Sequence, residues 1–235
     1  MKFITTSWDD GSPADIRLAE LLGKYNLQGT FYVPRQNDEH IVMSESELLT
    51  ISKDFEIGGH TVTHKSLKKA SSREIEYEVQ GSFNWLSNIL NEHPVSFCLP
   101  YGHYSSQSID LIYRSGFRYV RTTELLSPSL PSFLSHTTLQ VFQHSRLTYL
   151  KHLLKRGRFN NLRLWIMGGS SDDHLRLLDY YLDYINTHGG CFHLWGHSWE
   201  VEEFRLWSRL ELIFKHISNQ QGFQYVKNRD LIAHI

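Results

Sequence analysis

Apolar segments with strand character alternate with helical ones from one end of this 235-residue chain to the other. Residues 3–8, 29–34, 55–59, 95–99, 117–122, 191–195 and 223–226 are short apolar runs and read as strands. Residues 139–142 and 162–167 are weaker strand candidates. Helical patterns occupy 14–25, 71–90, 105–115, 172–186 and 202–218. The clearest is 71–90. Ser71 and Glu74 have the spacing of a capping box, and Ile75, Val79, Phe83, Leu86 and Leu90 follow as an apolar stripe. Strand and helix in alternation call for a parallel sheet with helices packed outside it. An α/β barrel and an open doubly wound sheet both satisfy that pattern. A single domain over residues 1–235 is an ordinary size for a barrel, and 40% hydrophobic residues can fill its core.

Composition excludes several functions. A formal net charge of −1 gives no electrostatic reason to expect nucleic acid as a partner. Cys98 and Cys191 both lie in apolar runs, so buried reduced thiols are expected rather than a disulfide framework. Strand pattern begins directly after Met1 and Lys2, with no signal-peptide pattern and no run apolar enough to span a bilayer, so the expected location is the cytoplasm. Residues 127–159 are the least regular and end in a basic run over 151–158. Such a run is either a solvated helix face or a clamp for a phosphate-bearing substrate. No Gly-rich phosphate loop, Cys-x-x-Cys pair or Gly-x-Ser-x-Gly elbow is found.

In parallel α/β architectures, functional side chains collect at the carboxyl ends of strands. Asp9-Asp10-Gly11, His60, Pro100-Tyr101-Gly102 and Gly196-His197 all fall at such ends. With 14 histidines, one pair four residues apart is expected by chance, and two occur: His60/His64 and His193/His197. On a turn or helix that spacing brings side chains to about 5–6 Å, close enough to share an ion. On a strand it spans about 13 Å, too far. His60 and His64 follow two glycines and precede a capped helix, so the first pair can chelate. His193 lies within a strand pattern and His197 beyond its end, so the second pair cannot. One carboxylate and two imidazoles, with a spare carboxylate for proton transfer, are the equipment of a metal hydrolase.

Ser7-Trp8-Asp9-Asp10-Gly11 resembles the first motif of the polysaccharide deacetylase family (carbohydrate esterase family 4, with a NodB-type domain), usually Thr-Phe-Asp-Asp-Gly. His60-Thr61-Val62-Thr63-His64 matches its second motif, His-Ser/Thr-x-x-His, and Leu99-Pro100-Tyr101-Gly102 resembles the end of its third. The strand from Cys191 to His197 resembles the fifth. The resemblance implies a distorted (β/α) barrel of seven or eight strands and one divalent metal ion, most often zinc, held by Asp10, His60 and His64. It further implies Asp9 as general base, a late histidine as general acid, and the Tyr101 backbone N–H as oxyanion donor. His197 is preferred over His193 as the acid because it lies beyond the strand. Trp195 and Trp199 are candidates for stacking on a sugar ring, against plain packing.

The family's third-motif arginine, which orients the base, is missing: Cys98 stands there, and Arg118 or Arg121 on the next strand are the available replacements. The fourth motif has no counterpart near Thr122-Thr123-Glu124. The expected function is removal of an acetyl or formyl group from an amino sugar or saccharide, in envelope polysaccharide or O-antigen synthesis. The alternatives are hydrolysis of a non-sugar amide or cyclic ureide, and a non-catalytic carbohydrate-binding relic.

Overall fold

The computed structural model describes all 235 residues. In chain order, β1 (Lys2–Asp9) leads to α1 (Asp15–Lys24), β2 (Gly29–Val33), α2 (Glu45–Ser52), β3 (Glu56–Gly59) and α3 (Ser72–Leu90). There follow β4 (Ser96–Cys98), α4 (Ser106–Arg114), β5 (Tyr119–Arg121), β6 (Leu134–Ser135) and β7 (Leu139–Gln140). Helices α5 (Arg146–Lys155), α6 (Phe159–Met167) and α7 (His174–His188) precede β8 (Gly190–His197). The chain ends with α8 (Ser198–Glu203), α9 (Trp207–Ile217), β9 (Gln224–Tyr225) and a 3-10 turn, Asn228–His234.

Every strand pairing is parallel, in the order β6-β5-β4-β3-β2-β1-β8-β7, with β9 beside the first half of β1. The sheet curls into a distorted (β/α) barrel. Its open side, between β6 and β7, is bridged by backbone hydrogen bonds that link Thr137 and Thr138 to Glu124, Leu126, Ser127 and His193.

Alternation along the strands separates two environments. Ile4, Trp8, Phe31, Val33, Ile57, Phe192 and Leu194 join the helices in one apolar cluster. Phe97 and Val120 join Ile75, Val79 and Ile112 of α3 and α4 in a second. The expected capping box of α3 is present, with Ser71 accepting from the Glu74 N–H and Glu74 accepting from the Ser71 N–H. Its stripe buries Ile75, Val79 and Leu86, each contributing about 1.5–3 kcal/mol.

The other strand face is polar. Thr5 donates to Asn228, whose amide donates to Tyr32. Thr30 and Ser96 both donate to the buried Glu56 carboxylate. Ser7 meets His193 Nε2 at 2.8 Å. Each of these buried groups meets a partner, as a polar interior requires.

Two expectations need correction. Residues 162–167 belong to α6, not to a strand, because Trp165 packs against Tyr149 of the neighbouring α5. A six-residue apolar run carries too little periodicity to separate the two. The helix expected over 202–218 is two helices, broken where Arg205 takes a left-handed φ of 54°. Cys98 and Cys191 are free and buried, as expected.

Candidate active site

Strand register brings the distant motifs together. Asp9, the last residue of β1, lies beside Tyr32 of β2 and His197 of β8. Asp10 follows with φ 76° and Gly11 with φ 60°. A side chain at Gly11 would meet Val33 Cγ1 at 2.6 Å, so the turn is closed to other residues. Because the chain turns here, both neighbouring carboxylates face one cavity of about 610 Å³. His60, His64, Tyr101, Trp195, His197 and Trp199 line it as well.

His60 follows β3, and residues 60–64 form a turn that sets the two imidazole rings 5.0 Å apart. His60 Nε2 lies 3.4 Å and His64 Nε2 3.1 Å from Asp10 Oδ1. His60 Nδ1 is 2.9 Å from the Cys98 carbonyl, which accepts its proton and leaves Nε2 as the free lone pair. Asp10 Oδ2 accepts from Trp199 Nε1 at 2.8 Å. Oδ1 is buried with no hydrogen-bond donor. A buried carboxylate oxygen without a donor, within reach of two imidazole nitrogens, fits a divalent cation. Burial alone would raise the Asp10 pKa, but the close imidazoles of His60 and His64 and the nearby His197 hold it far below the carboxylate range.

A second cluster of donor atoms, Asp9, His60 and Cys98, is less suited to an ion. Burial pushes the Cys98 thiol well above its ordinary pKa, and its S–H points to Asp9 Oδ2 at 3.5 Å. Asp9 is engaged by Arg121, whose fully buried guanidinium donates to Oδ1. Arg121 is the register partner of Cys98. The guanidinium absent from β4 thus enters from β5, one strand over. It lies over the rings of Tyr32 and Trp195, at 5.4 and 4.7 Å from their centroids. Trp195 is only 5% exposed beneath it, so little of that ring is open to a sugar. Trp199, stacked on His40 at 3.9 Å, is the more accessible of the two.

His197 Nδ1 lies 2.7 Å from Glu200 at the start of α8, and its Nε2 faces Asp10 Oδ2 at 3.8 Å. Burial opposes its protonation, but the Glu200 hydrogen bond and the charges of Asp10 and Asp9 raise its pKa. His193 is the opposite case. Burial and the nearby Arg121 hold its pKa well below the usual imidazole value, and Ser7 is its partner.

Glu78 and Glu200 were not singled out in the sequence. Glu78 of α3 is 3% exposed, and its carboxylate accepts from the Val62 and Thr63 N–H groups at 2.9 and 2.8 Å. It clamps the turn between the two histidines. The available signal was an acid on the apolar stripe, between Ile75 and Val79. For Glu200 it was the His-x-x-Glu spacing after a strand. Asp10, Thr61, His64 and Tyr101 all have left-handed φ, from 54° to 76°. Asp10, His64 and Tyr101 line the cavity and Thr61 lies in the turn between its two histidines, so the strain, about 1–3 kcal/mol each, is localised at this site.

A family model described as polysaccharide deacetylase matches residues 1–120. The chain belongs to the polysaccharide deacetylase family. This is a family of hydrolases acting on acyl groups, metal-dependent in general. The match covers Asp9, Asp10, His60, His64 and Tyr101, whereas Arg121, His193 and His197 lie beyond it. No curated protein matches the chain in sequence.

Solved structures of similar fold include a putative polysaccharide deacetylase from Mycobacterium smegmatis, 14% identical, with a TM-score of 0.67 over 100% of this chain and 90% of that one. A CE4 family pseudoenzyme from Bacillus anthracis is 15% identical, with a TM-score of 0.55 over 98% of this chain and 65% of that one. The Streptococcus pyogenes deacetylase PplD, in complex with acetate, is 18% identical, with a TM-score of 0.51 over 56% of this chain. The match spans 62% of the length of PplD. At these identities the likeness shows the fold alone. No helix is long and apolar enough to cross a membrane.

Proposed function

We propose that this chain is a metal-dependent amide hydrolase that removes an N-acyl group, acetyl or formyl, from an amino sugar. The observation that carries the reading is the buried, donor-less Asp10 Oδ1 facing His60 and His64, beside Asp9 and His197. Asp10, His60 and His64 would hold the ion, zinc in the first instance. When bound, it supplies Lewis-acid polarisation of the amide carbonyl and lowers the pKa of attacking water.

The chain's own groups do the rest. Asp9, held by Arg121, takes the proton of the attacking water. The Tyr101 backbone N–H, in its left-handed turn, donates to the oxyanion. His197, kept charged by Glu200, gives its proton to the departing nitrogen, which is a poor leaving group without it. Trp199 offers a ring face to the saccharide. The buried Arg121 guanidinium fixes the Asp9 carboxylate in place beside the cavity.

The test combines metal content with turnover. Wild type should carry one divalent ion and release acetate or formate from N-acylated amino sugars. His60→Ala and His64→Ala should lose the ion. Asp9→Asn should keep it and lose about 10²–10⁴-fold in turnover, the range for a missing general base. Equal metal in wild type and both histidine variants would refute the ligand assignment. Ammonia release from ureides, with no acid release from amino sugars, would replace the substrate class.

A further inference from the structure

A second cleft, of about 380 Å³, adjoins the cavity just described. His152 lines both. Two short segments form the shared wall. Tyr101 lines the first cavity while Gly102 and His103 line the second, and Thr123 and Leu125 line the first while Glu124 lines the second. The adjoining cleft is cationic. Lys68, Lys155, Arg156 and Arg158 surround it, with Glu124 as the single carboxylate. Glu124 is spoken for: Arg158 donates to it, and Arg156 lies 3.6 Å away. Lys68 and Lys155 make no ion pair within the chain. The positive charge comes from two unconnected parts of the chain, the loop after the second histidine and the end of α5, so it is not simply the solvated face of one helix. Its effect is felt locally. Burial, followed by Lys68, Arg156 and Lys155, depresses the His103 pKa.

We propose that this cleft is an anion subsite, and that the saccharide acted on in the neighbouring cavity carries a phosphoryl group that docks there. This rests on the deacylase reading above. Two unpaired lysines and a partly free arginine match the charge of a phosphate monoester or a pyrophosphate diester, about −2, better than that of a single carboxylate. His152, whose pKa burial and Arg156 push down to about 4, stays neutral between the two cavities. It can face a sugar ring without competing for the anion.

The experiment uses the metal-loaded full chain and calorimetric binding of inorganic pyrophosphate at fixed ionic strength. The double variant Lys68→Ala/Lys155→Ala changes two exposed side chains outside the catalytic cavity. It should weaken pyrophosphate binding by about tenfold or more, both in the wild-type background and in His60→Ala, where no ion remains to bind pyrophosphate itself. Lysine changes that have no effect in the His60→Ala background would place the anion on the metal site and overturn the proposal. Glucuronate binding as tightly as pyrophosphate would overturn the phosphoryl assignment. In turnover, the double variant should raise KM about tenfold for an N-acylated amino-sugar 1-phosphate and leave that for the neutral sugar unchanged. An equal change for both sugars would also overturn it. Comparing the monoester with its alkyl diester separates a soluble from a lipid-linked source. Should pyrophosphate bind through the lysines while no amino sugar is hydrolysed, the subsite stands and the deacylase reading fails.

Discussion

Glu78 offers the sharpest test of how the turn between His60 and His64 is held. The carboxylate accepts the buried Val62 N–H, the part-buried Thr63 N–H and the Thr63 hydroxyl at 2.5 Å. Ala at position 78 leaves the Val62 amide without an acceptor, at about 1–3 kcal/mol, and hands the Thr63 amide to water at a smaller cost. Thr61 and His64, on either side of those amides, have φ of 67° and 54°. That conformation itself costs about 1–3 kcal/mol per residue and persists only while the surroundings enforce it. Without the clamp the turn relaxes, and His64 moves off the line to Asp10. Glu78→Gln keeps the shape and one acceptor oxygen, so it should lose only about 1–2 kcal/mol. Partners that orient a metal ligand are typically worth 10–100-fold in affinity, so Glu78→Gln should sit near the lower figure and Glu78→Ala near the upper. Urea unfolding gives the stability change, and competition with a chelator gives the metal affinity. Wild-type metal affinity in a folded Glu78→Ala protein would refute the clamp, because the strained turn would then be holding itself.

Arg121→Met strands the Asp9 carboxylate in a site only 3% exposed, and should cost about 3–5 kcal/mol by urea unfolding. Adding Asp9→Asn should recover most of that loss, and an additive double variant would show that the pair is not coupled. The raised pKa of His197 sets the sign of a pH effect: its proton is present below that pKa and is lost as pH rises through it. Any stability that His197 gains from Glu200 fades over the same rise. Glu200→Gln removes a partner that favours the charged ring, so the alkaline limb of the kcat profile should move to lower pH, and a limb that stays put would refute the pairing. His193→Ala should leave that limb in place and lower stability instead, since it deprives Ser7 of its partner. Folded, metallated and inactive His193→Ala protein would transfer the acid role to His193.

Much of the fold could be read from the chain because the strands have one strongly apolar face and the helices carry clear stripes. Short elements escaped. β6 spans only Leu134–Ser135, and α2 and α5 lie in stretches with little periodicity. The grouping of Asp10, His60 and His64 was legible because they sit in tight local motifs. Arg121 was legible only as one of two candidates, since strand register decides between it and Arg118. Glu78 and Glu200 were not legible, because they reach the site through a helix face and a strand-to-helix joint, relations that no linear spacing encodes. The basic run over 151–158 is partly a solvated helix face, with Lys151 exposed, and partly the wall of the cationic cleft.

The exchange between β4 and β5 has an implication for how such sites diverge. Cys98 and Arg121 are neighbours across two strands, and both reach Asp9. Either backbone position lies within reach of the carboxylate, so the side chain that pairs with it need not come from the strand where a linear motif would place it. A chain like this one looks incomplete when read as a string of motifs, although a guanidinium is present beside Asp9. A guanidinium should therefore be sought along the rung of the sheet before such a chain is counted among the inactive ones.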